Sequence, residues 1–211
     1  MTPVGKTVAL CGVFIAIVVG LFVWKTVRTP QLSDEELRAS GVFLMPRPRD
    51  IAPFELTNAG GGSFTNTDLQ DRWSFVFFGF THCPDICPTS MAVMGQVDLA
   101  LREGREGNNP FQGVLVSVDP ERDTPERLEA YAKAFSPRFV GAVGPREDLA
   151  ALAQQLNVAF AKVPDGAGGY TMDHTGHIVI INPMGHYHGF IKLPHEAETI
   201  RLTYQTLDAR F

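Results

Sequence analysis

The sequence predicts an α/β domain with a β-hairpin at its start and one apolar helix ahead of it. Three observations carry that prediction. An uncharged run extends from Thr7 to Trp24. Continuous apolar segments such as Ser74 to Phe80 alternate with segments whose apolar residues recur at helical spacing. Two cysteines, Cys83 and Cys87, sit where the first long apolar strand gives way to a helix. The chain has 211 residues, 45% hydrophobic and 19% charged, a globular rather than disordered composition. A net charge of −5 without a basic run excludes a nucleic-acid footprint.

The N-terminal run reads as an anchor over residues 7–24, behind a short tail at 1–6. Lys6 and Lys25 bracket it. Eighteen helical residues cover about 27 Å, enough for a hydrocarbon core. The segment Lys25-Thr26-Val27-Arg28-Thr29-Pro30 lacks the small-x-small pattern of a cleaved signal peptide, so an uncleaved anchor is expected. Cys11 lies at the start of the run, not after it, which argues against a lipoprotein cysteine. The flanking cations do not decide orientation. The tail is short for a mitochondrial transit peptide, which points to a bacterial protein.

Residues 25–50 read as a tether. Ser33 and Glu36 form a capping box for one short helix, and Met45-Pro46-Arg47-Pro48-Arg49 is extended and proline-broken. The domain is expected over 51–211. Phe54 to Asn58 is a strand, Gly60-Gly61-Gly62 a turn, and Ser63 to Thr67 the return strand. Ser74 to Phe80 has the uninterrupted apolar character of a strand covered on both faces. Pro88 suits the first turn of a helix running to about Glu103. Val114 to Val118 is a second buried strand. Thr124 caps a helix with Pro125 at its first position, and Leu128, Tyr131, Ala132 and Phe135 form its apolar stripe. Arg146 to Leu156 repeats that pattern. Val163 to Gly169 reads as a flexible Gly-rich loop, without the lysine-serine ending of a phosphate cradle. Ile178 to Ile181 and Tyr187 to Lys192 pair around Asn182-Pro183-Met184-Gly185. From Glu196 onward a last helix presents Ile200, Tyr204, Leu207 and Phe211 on one face. This order, with thiols at the first central strand-to-helix joint, is a thioredoxin-like pattern.

Of the three cysteines, only Cys83 and Cys87 are paired in sequence, which reads as redox-active or metal-binding rather than as a disulfide scaffold. In a helix, a spacing of four brings both to one face, about 5–6 Å apart at Cβ. A helix N-terminus favours thiolate, the form that binds metal and attacks disulfides. Three intervening residues are one more than a common dithiol oxidoreductase uses, and let the sulfurs splay around an ion. Two thiolates are few for structural zinc, whereas Cu(I) accepts two or three soft donors. One imidazole from elsewhere would complete such a site. Of the six histidines, His174 is best placed, ahead of strand Ile178–Ile181. Asp173 is expected to orient it or hold its tautomer. His82 is expected to tune the adjacent thiol. His186 and His188 point the same way on a strand and read as an exposed hairpin face, with a surface metal as the alternative. His177 and His195 carry no signal.

The stretch Phe77 to Ser90, with Cys-x-x-x-Cys-Pro, resembles the signature of the Sco/SenC proteins, copper chaperones for cytochrome c oxidase assembly. Ser117-Val118-Asp119-Pro120-Glu121-Arg122-Asp123-Thr124-Pro125-Glu126 resembles that family's acidic loop. Phe135-Ser136-Pro137-Arg138-Phe139-Val140-Gly141 resembles its next segment, and Asp173-His174-Thr175 its histidine motif. The resemblance covers about residues 50–205 and the anchor. It implies a thioredoxin-like fold, copper (Cu(I) or Cu(II)) held by Cys83, Cys87 and His174, and Asp173 and Asp119 in support. It implies a single-pass protein of the bacterial inner membrane with its domain in the periplasm. Its expected partners are cytochrome c oxidase subunit II, with its binuclear copper centre, or another copper acceptor, and other periplasmic copper chaperones.

Two functions compete. A metallochaperone needs all three donors. A thiol-disulfide reductase that prepares the acceptor's cysteines needs only Cys83 and Cys87, as a redox-active pair. A peroxidase reading of Cys87-Pro88-Thr89 fails, because Pro84 and Phe80 occupy the places where that chemistry wants threonine and proline.

Overall fold

The computed structural model describes residues 3–27, 31–103, 111–166 and 168–211. Helix α1 spans Pro3–Val27 and α2 spans Asp34–Ala39, the latter closed by the Ser33–Glu36 capping box. The strands are β1 (Val42–Arg49), β2 (Glu55–Thr57), β3 (Ser63–Thr65), β4 (Trp73–Gly79) and β5 (Phe111–Ser117), then β6 (Val140–Ala142), β7 (Phe160–Pro164), β8 (Tyr170–His174), β9 (Ile178–Ile181) and β10 (Tyr187–Ile191). The remaining helices are α3 (Ile86–Glu103), α4 (Pro125–Lys133), α5 (Arg146–Gln155) and α6 (Ala197–Arg210).

Six strands form one sheet in the order β1-β10-β9-β4-β5-β6. β4, β5 and β6 run parallel, and β9, β10 and β1 continue the sheet antiparallel. Every residue of β4 and β5 is buried, as uninterrupted apolar runs require of strands covered on both faces. β2 and β3 make the expected hairpin. Thr124 accepts from the Arg127 amide and caps α4, with Pro125 in its first turn. Leu128 and Ala132 of the expected stripe are fully buried, whereas Phe135 falls just beyond the helix. Ile200, Tyr204 and Leu207 of α6 face the core. Phe211 lies past the helix end, largely exposed, edge-on to Trp73.

Three stretches differ from expectation. Residues 42–49 are not tether: they form β1, paired with β10 at the edge of the main sheet, so the folded body begins ahead of Ile51. Pro46 and Pro48 are tolerated because an edge strand needs only one set of ladder bonds, and the register shifts between Leu44 and Arg49. The Gly-rich segment is not a free loop but the turn of the β7–β8 hairpin, with Ala167 outside the described residues. That hairpin is a separate two-stranded sheet. Finally, α1 covers the expected anchor, but among the described residues no helix is long and apolar enough to cross a membrane. The side chains of the bracketing Lys6, Lys25 and Arg28 lie outside the described residues.

Candidate metal centre

Cys83 sits in the turn after β4, and Cys87 is the second residue of α3. The segment closes on itself: the Cys87 amide donates to Cys83 Sγ at 3.4 Å. Cys83 is half-buried, Cys87 fully buried, and both are free thiols. Cys87 fits against the sheet because residue 79 is glycine. A Cβ there would stand 2.9 Å from Cys87 Sγ.

His174 ends β8 and places Nε2 3.5 Å from Cys87 Sγ. Its Nδ1 faces the Thr175 carbonyl at 3.2 Å. A carbonyl oxygen only accepts, so Nδ1 carries the proton and the Nε2 lone pair faces the sulfur. The ring stands edge-on to Phe77 and Phe80, with centroids 5.8 and 6.0 Å away. Sγ of Cys83, Sγ of Cys87 and a ring nitrogen of His174 all lie within 4.8 Å of one another. Metal bonds of about 2.3 Å to sulfur and 2.0 Å to nitrogen span donor pairs of up to about 4.6 Å, so this set can close on one ion with shifts of a few tenths of an ångström. No other cluster of three such donors occurs among the described residues.

The electrostatics differ from the expected activated thiolate. Burial pushes the Cys87 thiol far above its ordinary range, reinforced by its contact with the Cys83 sulfur. Burial also holds His174 below the usual imidazole range, against the opposing pull of its Thr175 contact. The metal-free site is therefore neutral at Cys87 and His174. The helix N-terminus is present, but desolvation of the buried sulfur outweighs it.

The supporting residues are partly rearranged. Asp173 does not hold the His174 tautomer: its side chain is exposed, and the Thr175 carbonyl partners Nδ1 instead. Asp119 is buried and accepts from Tyr170 Oη at 2.9 Å and Arg122 Nε at 2.5 Å. Sequence reasoning missed Asp123. It accepts from the Thr81 amide at 3.1 Å, Thr81 Oγ1 at 2.5 Å and Ser117 Oγ at 2.6 Å, tying the thiol turn to the end of β5. Its place in the acidic loop was the available signal. His82 Nδ1 faces Asp123, 3.9 Å from its carboxylate, and lies 3.3 Å from Thr81 Oγ1. His186 and His188 are not an open pair. His186 Nε2 faces Asp50 at 3.2 Å, while His188 meets Asn182 and the edge of Trp73. His195, without a sequence signal, packs against Phe77 and meets Ser90 Oγ through Nδ1 at 2.9 Å. His177 stacks on Phe190.

The SCO1/SenC family model matches residues 45–207, and the chain belongs to that family. A "putative copper-binding protein" of Stutzerimonas stutzeri is 35% identical over 177 residues, 82% of this chain and 84% of that protein. The mitochondrial SCO1 homolog of Mus musculus is 32% identical over 173 residues, 82% of this chain. Against that mitochondrial relative the chain spans only 59% of its length. Among solved structures, the crystal structure of Arabidopsis thaliana ScoI with copper bound superposes with a TM-score of 0.70 at 28% identity. That match covers 76% of this chain and 98% of the other. These matches carry the thioredoxin-like Sco fold.

Proposed function

We propose that this chain is a metallochaperone whose cargo is copper, held by Cys83, Cys87 and His174. The observation that carries the reading is the mutual approach of the three donors within 4.8 Å, in a chain whose family includes a structure solved with copper. Two soft sulfurs and one imidazole suit Cu(I), and the same set accommodates Cu(II) through the nitrogen. The acceptor is the binuclear copper centre of cytochrome c oxidase subunit II, with other periplasmic copper chaperones as donors. Transfer proceeds by ligand exchange: acceptor sulfurs replace Cys83, the half-exposed donor, before Cys87. In this reading the uncharged run Thr7 to Trp24, whose side chains are described only in part, holds the chain at the bacterial inner membrane, the residues between it and β1 act as tether, and the domain faces the periplasm.

The test is copper stoichiometry and affinity of the full chain, purified reduced, beside Cys83→Ser, Cys87→Ser and His174→Ala. Each variant is expected to lose copper retention while staying folded. Wild-type affinity in His174→Ala would remove the imidazole from the site. One observation favours a second activity: Cys83 is half-buried and Cys87 fully buried, an asymmetry that fits attack by Cys83 and resolution by Cys87. Insulin reduction that copper suppresses would support a thiol-disulfide reductase role on the same pair.

A further inference from the structure

The hairpin that carries His174 is fastened at its outer end by one tyrosine. β7 and β8 share no ladder with the main sheet. At the root, the Thr175 amide donates to the Ala159 carbonyl at 2.9 Å, and the Ala159 amide to Thr175 Oγ1 at 3.0 Å. At the other end, Tyr170 Oη donates to buried Asp119. The Arg122 guanidinium lies 3.9 Å from the Tyr170 ring centroid, and its Nη1 donates to the Tyr170 carbonyl at 3.2 Å. Across the hairpin, Lys162 Nζ lies 3.8 Å from the same centroid and pairs with Glu121 at 2.5 Å. Two cations and a carboxylate thus converge on one phenol. Arg122 also lies 5.7 Å from the Phe80 ring centroid, and Phe80 is one of the two rings edging His174.

We propose that Tyr170, with Arg122 and Asp119, is a positioning residue that holds the hairpin against the thiol turn and so sets how long His174 stays on bound metal. The inference rests on the copper reading above. The root stays bonded, and four residue steps along β8 lead from Tyr170 to His174, about 13 Å at 3.3 Å per residue. Loss of the Tyr170 ring frees Arg122, and with it the Phe80 ring that edges the imidazole, so the imidazole leaves Cys87 more readily. The hydroxyl bond to a carboxylate and the cation–ring contacts are separable parts of the clamp.

The experiment uses the full chain in detergent, with Tyr170→Phe, which loses the hydroxyl but keeps the ring, and Tyr170→Leu, which loses both. Transfer of Cu(I) to the chelator bathocuproine disulfonate is expected to accelerate about tenfold in Tyr170→Leu, equivalent to about 1.4 kcal/mol. Tyr170→Phe should fall between. In a His174→Ala background Tyr170→Leu should add nothing, because the clamp acts only through the imidazole. Without metal, hydrogen exchange of amides 160–174 should speed up in Tyr170→Leu while those of 178–181 stay protected. Equal acceleration in the His174→Ala background, or unchanged exchange in the hairpin, would overturn the proposal. If His174→Ala alone leaves transfer untouched, the copper-site reading fails, and the exchange measurement still reports whether the clamp exists.

Discussion

Gly79→Ala isolates the geometry of the sulfur pair from the chemistry of its atoms, because it leaves all three donors in place. The new methyl would stand 2.9 Å from Cys87 Sγ, 3.0 Å from Phe77 Cε1 and 3.3 Å from Leu115 Cδ1. Ordinary contacts lie near 3.5–4.0 Å, so the sulfur must retreat by roughly 0.6 Å or more. A metal site tolerates about 0.2 Å in its bond lengths, so the displacement is some three times what one ion can absorb. Overpacking costs about 1–3 kcal/mol, partly offset by the roughly 0.5–1 kcal/mol that alanine gains over glycine in a strand. The net loss of fold stability is thus small. Copper affinity should fall by about 10–100-fold, the scale of changes that misplace a ligand without removing it. The assay pairs urea denaturation of the metal-free protein with competitive Cu(I) titration. A folded Gly79→Ala protein that binds copper as tightly as wild type would refute the reasoning, since it would mean Cys87 need not sit where β4 places it.

Asp123→Ala strands the Thr81 amide and two hydroxyls that converge on it, and should cost about 2–4 kcal/mol in denaturant unfolding, with Thr81→Val recovering little. His195 is held near a pKa of about 4 by burial, so the unfolded chain takes up its proton first and stability falls as pH drops from about 6.5 toward 4; His195→Gln should flatten that slope in melting experiments. Copper loading near neutral pH should release the proton that burial keeps on Cys87, measurable as a buffer-dependent binding enthalpy by calorimetry. Thr124→Ala removes the cap on α4 and should lower stability by about 1 kcal/mol, with copper affinity unchanged.

What the sequence made legible follows from how local each signal is. β4 and β5 announce themselves because burial on both faces leaves no polar position to confuse the pattern. The α4 cap is one threonine and one proline in adjacent places. β1 was hidden because Pro46 and Pro48 normally break strands, and only its place at the sheet edge makes them harmless. β7 and β8 were hidden because they bury little: Ala161, Lys162, Val163 and Pro164 are exposed, and only Met172 of β8 is buried. Such a ribbon has no period to detect. At the site, spacing pointed to Cys83 and Cys87, position ahead of β9 pointed to His174, and family resemblance joined the three into one ligand set. Asp123 looked like one more loop charge, because nothing local to it reveals that three donors converge from Thr81 and Ser117.

The same limit explains the misjudged thiolate and shows how the site works. A helix N-terminus is visible in sequence and favours a charged sulfur, whereas enclosure by residues distant in the chain is not visible and opposes it. Here enclosure prevails at Cys87. The metal-free pocket therefore presents a thiol and a neutral imidazole whose Nε2 lone pair already faces inward, fixed by the Thr175 carbonyl. Under the proposed function, a cation arriving at the half-exposed Cys83 supplies the charge that makes ionisation of Cys87 favourable, and the proton leaves as the metal enters. Departure runs in reverse, because a thiolate abandoned in that enclosure recovers its proton. Burial thus weakens the hold on metal by the free energy needed to ionise the sulfur. A carrier that must release its cargo benefits from a deep sulfur of this kind more than from one permanently charged.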